Sequence, residues 1–289
     1  MKTQERKRLW IQAAFAALLN GYAAGFAKGR IFTGPTKGVC VPVLNCYSCP
    51  GALGACPIGS LQAVAGGKGR SVSFYILGIL MLAGLAFGRL LCGFACPFGF
   101  LQDLLAKIPG KKLRVPERID RPARKCKYVL LAMVLVLPAA VSAVKGAAAS
   151  PYFCKYICPA GTLEAGVPLL LANTNLRAMA GALFTWKAAV LLAVILGAVF
   201  IPRFFCRYLC PLGAFYSLFN RFALYRMELD KPSCIRCGKC EQVCPMAVRV
   251  TQELECSGEC IRCGKCKAVC PAGAISSGFK SLARKTAEQ

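Results

Sequence analysis

The 289-residue sequence contains no histidine, and Asp and Glu together number only 12. The first absence excludes His-ligated haem, zinc sites built on imidazole, Ser-His triads and imidazole proton relays. Charge is also scarce: charged residues make up 17% of the chain and hydrophobic residues 56%, with a mean hydropathy of +0.52. Such a composition fits neither a disordered chain nor an ordinary soluble enzyme, and at this length it accommodates a membrane domain plus one small soluble domain. Against these absences stand 20 cysteines and 37 Lys and Arg. Whatever chemistry the chain performs must run on thiolates.

Four apolar stretches, at about 9–27, 72–88, 128–144 and 184–202, qualify as membrane spans, the last with Lys187 at its rim. A spanning helix needs ~20 apolar residues, with ~17 the lower end. The stretch 166–173 is too short to cross and reads as interfacial or re-entrant. The N-terminus, the loop 102–127 and the tail after Cys206 together hold 26 Lys and Arg, against 9 in the other two loops. Because cytoplasmic loops carry the Lys/Arg excess, both termini are expected inside a bacterial inner (cytoplasmic) membrane. The basic surplus is then mostly a topology signal. No helix-turn-helix, zinc-finger or RNA-binding pattern accompanies it, so no nucleic-acid partner is expected. The first span reads as an uncleaved anchor rather than a signal peptide, and Gly21/Gly25 and Gly84/Gly88 read as helix-packing pairs.

Two cysteine elements repeat within this apolar part. Arg89-Leu-Leu-Cys92-Gly-Phe-Ala-Cys96-Pro97-Phe-Gly99 lines up with Arg203-Phe-Phe-Cys206-Arg-Tyr-Leu-Cys210-Pro211-Leu-Gly213, and the segment 56–62 (Cys-Pro-Ile-Gly-Ser-Leu-Gln) lines up with 158–164 (Cys-Pro-Ala-Gly-Thr-Leu-Glu). The membrane domain is thus two hairpins of the same hand, with equivalent residues around a pseudo-twofold axis. Cysteines at i and i+4 share a helix face. The following proline disfavours helix at the second cysteine and suits the first turn of the next helix, which puts that cysteine at an N-cap where backbone N–H groups favour a thiolate.

The tail carries the most specific motif. Cys234-x2-Cys237-x2-Cys240-x3-Cys244-Pro is followed by Cys260-x2-Cys263-x2-Cys266-x3-Cys270-Pro. This is the bacterial iron–sulfur spacing present twice, and in two-cluster ferredoxins the fourth cysteine of each run serves the other cluster. One [4Fe-4S] cluster is therefore expected on Cys234, Cys237, Cys240 and Cys270, and a second on Cys260, Cys263, Cys266 and Cys244. Paired zinc hooks lack this x2-x2-x3-Pro run.

Cys92, Cys96, Cys206 and Cys210 with the double tail motif make the chain resemble the membrane polyferredoxin-like 4Fe-4S family, typified by the quinol dehydrogenase membrane subunit of the periplasmic nitrate reductase type. The resemblance covers most of the chain from residue 72 onward. It implies a mainly α fold: a four-helix transmembrane domain of two repeated hairpins over 1–225, and a small C-terminal α+β two-cluster bacterial-ferredoxin domain over 226–289. It also implies electron transfer between a quinol/quinone pool or cytoplasmic donor and a redox partner, such as a periplasmic reductase, a flavin-bearing subunit or an additional ferredoxin subunit. A bound quinone is a further expectation, although no quinone site is legible. Arg89 and Arg203 are expected to anchor at lipid headgroups.

The membrane cysteines leave two readings open. Cys92, Cys96, Cys206 and Cys210 form a candidate inner-face iron–sulfur centre, and Cys46, Cys49, Cys56, Cys154 and Cys158 a candidate outer-face centre. Alternatively, the outer set forms disulfides and the inner set are reduced thiols. Cys126 and Cys256 have no assigned role. A thiolate-rich metal-ion (copper) reductase or assembly factor, and a redox sensor, are the rival functions.

Overall fold

The computed structural model describes residues 2–67 and 74–279. Among them the chain is mainly helical, with one two-stranded sheet in the tail. Two helices, Glu117–Lys145 and Ala182–Phe200, are long and apolar enough to cross a membrane. At 1.5 Å per residue the second is about 28 Å long. Their apolar side chains face outward: Val136 is 63% exposed and Leu192 57%. Glu117–Lys145 starts with Glu117 and Asp120 and ends with Lys145 before left-handed Gly146, so its charges complement the helix dipole at both ends.

The other two expected spans differ from the sequence reading. The first helix is Lys2–Leu19 and stops short of residue 27. The 49–53 loop captures its end: Leu53 N donates to Leu19 O and Tyr22 N donates to Gly51 O, and a separate short helix, Ala23–Lys28, follows. The expected span 72–88 appears as the 14-residue helix Phe74–Phe87, with residues 72 and 73 outside the described part. Its Gly84 packs on the Phe219 ring, so the small residue serves a close helix contact, though with an aromatic ring rather than with another glycine.

The helices Phe74–Phe87 and Ala182–Phe200 are each followed by a pair of short helices joined by a turn, Leu90–Phe94 with Pro97–Leu105 and Phe204–Tyr208 with Pro211–Phe219. They meet in the core, where Phe98 and Phe205 pack edge to face at 5.1 Å and are both fully buried. In the tail, β1 (Tyr225–Leu229) pairs antiparallel with β2 (Ile275–Phe279), Met227 opposite Ser277. Met227 and Ile275 turn inward onto Val250 and Leu254, closing a second small core.

Candidate functional site

Cys56, Cys96, Cys158 and Cys210 each stand at the N-cap of a helix that begins with proline. Three of these thiols accept a backbone hydrogen bond three residues on: Gly99 N to Cys96 Sγ at 3.4 Å, Gly161 N to Cys158 Sγ at 3.4 Å, and Gly213 N to Cys210 Sγ at 3.3 Å. The Cys-Pro-x-Gly turn occurs four times and in three of them gives the sulfur a backbone donor.

Two of these turns close one site. Cys92, Cys96, Cys206 and Cys210 line one small void with Val43, Leu44, Arg89, Leu212 and Gly213. All four cysteines are buried. Burial, followed by the neighbouring sulfurs of Cys206 and Cys92, pushes the Cys96 thiol well above its ordinary value, so holding it as a thiolate calls for a cationic partner.

Arg89 and Arg203 are fully buried beside this void, which corrects the expectation that they anchor at headgroups. Each reaches across the pseudo-twofold axis: Arg89 Nη2 donates to Cys206 O at 3.1 Å and Arg203 Nη1 donates to Cys92 O at 2.6 Å. Each is held by one carboxylate. Arg203 donates Nε and Nη2 to Asp103 at 3.0 and 2.5 Å, while Arg8 approaches the same carboxylate at 3.1 Å. Burial alone would raise the Asp103 carboxyl, but Arg203 and then Arg8 overcome it and hold Asp103 well below the usual range. Arg203 keeps a left-handed backbone (φ 55°), a strain that its fork to Asp103 fixes in place. Arg89 Nη1 donates to Glu259 Oε2 at 2.8 Å, and Lys127 pairs with the same carboxylate. Arg89 Nε is buried without a hydrogen-bond partner, a free donor on a side chain that lines the void. A thiolate-bound, electron-rich group fits such a cage.

The tail forms two further small voids. Cys234, Cys237, Cys240 and Cys270 line one, and Cys244, Cys260, Cys263 and Cys266 line the other. The fourth cysteine of each run thus crosses to the other site, the grouping that the spacing predicts. In each Cys-Ile-Arg-Cys-Gly-Lys-Cys loop the Arg and the Gly are left-handed: Arg236 and Gly238, Arg262 and Gly264. Left-handed residues that flank a cysteine in this way turn backbone N–H groups toward one concavity, which favours anions. Among the described residues no group of three or more His, Cys, Asp or Glu is placed to hold a single metal ion.

The tail loop docks directly on the inner turn. A Cβ on Gly93 would fall 2.5 Å from Ile261 O, Asn220 Nδ2 donates to Ser257 O and Cys260 O, and Arg262 Nη1 donates to Phe87 O at 2.9 Å. Residues flanking Cys92 and Cys260 are therefore in backbone contact. Cys126 and Cys256 are exposed, and neither lines any of these three voids.

Sequence comparison gives these turns a family. The description "4Fe-4S binding domain" matches residues 71–116, 128–171 and 183–232, and "4Fe-4S dicluster domain" matches 226–271. An uncharacterized protein of Methanocaldococcus jannaschii is 32% identical over 183 residues, which cover 61% of this chain and 67% of that protein. The chain belongs to the membrane polyferredoxin-like 4Fe-4S family. Among its relatives, the methylamine utilization ferredoxin-type protein MauN of Methylorubrum extorquens is 28% identical over 240 residues, 80% of this chain and 75% of that protein. YccM of Escherichia coli, whose name ascribes it to electron transport, is 27% identical over 202 residues, 65% of this chain and 52% of YccM. The chain thus spans about half the length of YccM, and 58% of a second M. jannaschii relative. No solved structure matches. The domain matches run along most of the chain from residue 71 to residue 271.

Several residues at the family's turns carry no cysteine signal and escape sequence reading. Gln102 Nε2 donates to Cys206 Sγ at 3.1 Å while its Oε1 accepts from Phe205 N; Gln62 repeats this with Cys154 Sγ at 3.3 Å and Phe153 N. The repeated Cys-Pro-x-Gly-x-Leu-Gln of 56–62 and 96–102 was the available clue. Asp103 and Glu259 had none, because Arg203 lies 100 residues from Asp103 and Arg89 170 from Glu259 in sequence.

Proposed function

We propose that the chain is a four-span membrane protein, both termini cytoplasmic, that passes electrons between two tail [4Fe-4S] clusters and a third centre held by Cys92, Cys96, Cys206 and Cys210. Cys234, Cys237, Cys240 and Cys270 hold one tail cluster, and Cys260, Cys263, Cys266 and Cys244 the other. The membrane domain extends to about residue 225 and the ferredoxin-like domain follows. When bound, such clusters supply one-electron storage at potentials set by hydrogen bonds, charge and burial. The chain's own residues supply those settings: Arg89 and Arg203 place two cations at the inner site, Gln102 donates to Cys206, and buried Phe98 and Phe205 keep water out.

The contact of Gly93 with Ile261 carries this reading, since it sets the inner cysteines and one tail cysteine group side by side. The donor is a quinol pool or a cytoplasmic reductant, and the acceptor a redox partner on the far side of the membrane. Purified protein in liposomes would be given quinol or a cytoplasmic reductant and followed by EPR. Reduction of the tail clusters by one of them is the expected result. Clusters that neither donor reduces would overturn the proposal.

A further inference from the structure

The structure points to a fourth four-thiolate centre, an iron–sulfur site on Cys46, Cys56, Cys154 and Cys158 across from the inner one; this rests on reading the inner site as a cluster site. Nothing in the tail motif requires these four residues, and they come from three separate segments. Their convergence is shown by what surrounds two glycines. A Cβ on Gly161 would lie 3.6 Å from Cys46 Sγ and 3.8 Å from Cys158 Sγ, and one on Gly59 would lie 3.9 Å from Cys154 Sγ. The space beside both glycines is occupied by sulfur. Each of the four thiols also lies within electrostatic reach of the other three.

The site repeats the inner one part by part. Cys158 stands four residues after Cys154 as Cys210 does after Cys206. Cys56 and Cys158 cap helices that begin with proline, and Gln62 takes the place of Gln102, donating to Cys154 at 3.3 Å. The departure is in the first half. Where the repeat would put a cysteine four residues before Cys56, the chain has Ala52, and Cys46 supplies the missing thiol from further back along the loop. Glu164 holds that loop in position by accepting from Cys46 N at 2.7 Å.

Two cysteines of the same loop stay out of the set. Cys49 donates its thiol to Asn20 Oδ1, and Cys40 forms a backbone bridge with Ala55. The set thus narrows from five candidates to four. Its place relative to the inner site follows from the loop: Val43 and Leu44 line the inner void, and Cys46 comes two residues later. Two residues of extended chain span at most ~7 Å. Tyr216, at the position that Glu164 fills on the outer side, donates to Pro42 O at 2.7 Å and ties the same loop to the inner helix.

Iron and acid-labile sulfide would be measured on the whole protein reconstituted without air, with its C56A, C158A, C49A, C40A and C96A variants. About sixteen irons per chain are expected in the unaltered protein, about twelve in C56A and in C158A, and an unchanged content in C49A and C40A. The tail-cluster EPR signal, retained in every variant, reports that each has folded. A loss in C96A with none in C56A or C158A would overturn the outer site alone. No loss in any of the three would overturn the inner reading as well. Alkylation before denaturation, followed by mass spectrometry, gives a second readout: a disulfide within the four, or stoichiometric zinc or copper there, would overturn the assignment.

Discussion

Arg89 and Arg203 each donate a hydrogen bond to the carbonyl of the other half's cysteine, Cys206 and Cys92. The exchange places two fully buried guanidinium groups against one ring of four thiols. A positive charge favours the reduced, more negative state of any centre held there, and low local dielectric enlarges the effect. R89Q and R203Q should therefore each lower the midpoint potential of the inner centre by at least ~60 mV, a tenfold change for a one-electron couple. Redox titration followed by EPR measures it, and an unshifted potential in both variants would remove the arginines from the tuning of the site.

Glu259 is the acid that neutralises Arg89 and Lys127 together. Burial alone would raise its carboxyl, yet Arg89 and Lys127 win and hold it below the ordinary 4.5. A depressed acid stabilises the fold above its unfolded value and loses that stabilisation as the pH falls through the folded value. Docking of the 257–262 loop should thus be constant from neutral pH to about 4.5 and weaken only below it. E259Q leaves two buried cations against a neutral amide, at a cost of about 3–5 kcal/mol. Hydrogen exchange of the 257–262 amides should be fast in E259Q already at pH 7. Protection equal to that of the unaltered protein would contradict this role.

Gly93 separates the inner turn from the tail by the width of a hydrogen atom on its α-carbon. In a helix alanine is ordinarily favoured over glycine, but here its Cβ would meet backbone, Ile261 O, at 2.5 Å. Backbone cannot rotate away as a side chain can, so the tail loop must shift, at a cost of about 1–3 kcal/mol. G93A should keep its iron and slow electron exchange between the tail and inner centres, seen by rapid-freeze EPR. An unchanged rate would show that this contact does not set the separation.

How legible all this is in the sequence depends on the range of each interaction. The tail grouping is an expectation from local spacing, and in the fold Cys244 lines a void with Cys260, Cys263 and Cys266 while Cys270 lines the other with Cys234, Cys237 and Cys240. The N-caps at Cys56, Cys96, Cys158 and Cys210 are equally local, set by the proline that follows. Arg89 and Arg203 were misread because burial depends on distant partners: Asp103 lies 100 residues from Arg203, and Glu259 170 from Arg89. The first helix ends early for the same reason, since apolarity alone does not foresee that Leu53 N will take the carbonyl of Leu19. Hydropathy marks what tolerates lipid, whereas loop contacts decide where a helix stops.

Gln102 offers the finest control of the inner site, because its amide does two things at once. Nε2 donates to Cys206 Sγ at 3.1 Å, which draws electron density from the sulfur, and Oε1 accepts from Phe205 N at 3.0 Å, which holds the cysteine turn. Glutamate at this position keeps the acceptor and loses the donor. Q102E should therefore retain iron and fold while lowering the inner potential, in the same direction as R203Q, because a hydrogen bond to sulfur is lost and an anion gained. Q102L loses both functions and leaves Phe205 N buried without a partner, a cost of about 1–3 kcal/mol. The two variants separate tuning from support: a potential shift in Q102E at full iron content assigns the effect to the N–H to sulfur bond, whereas iron loss in both would make Gln102 a structural brace of the turn.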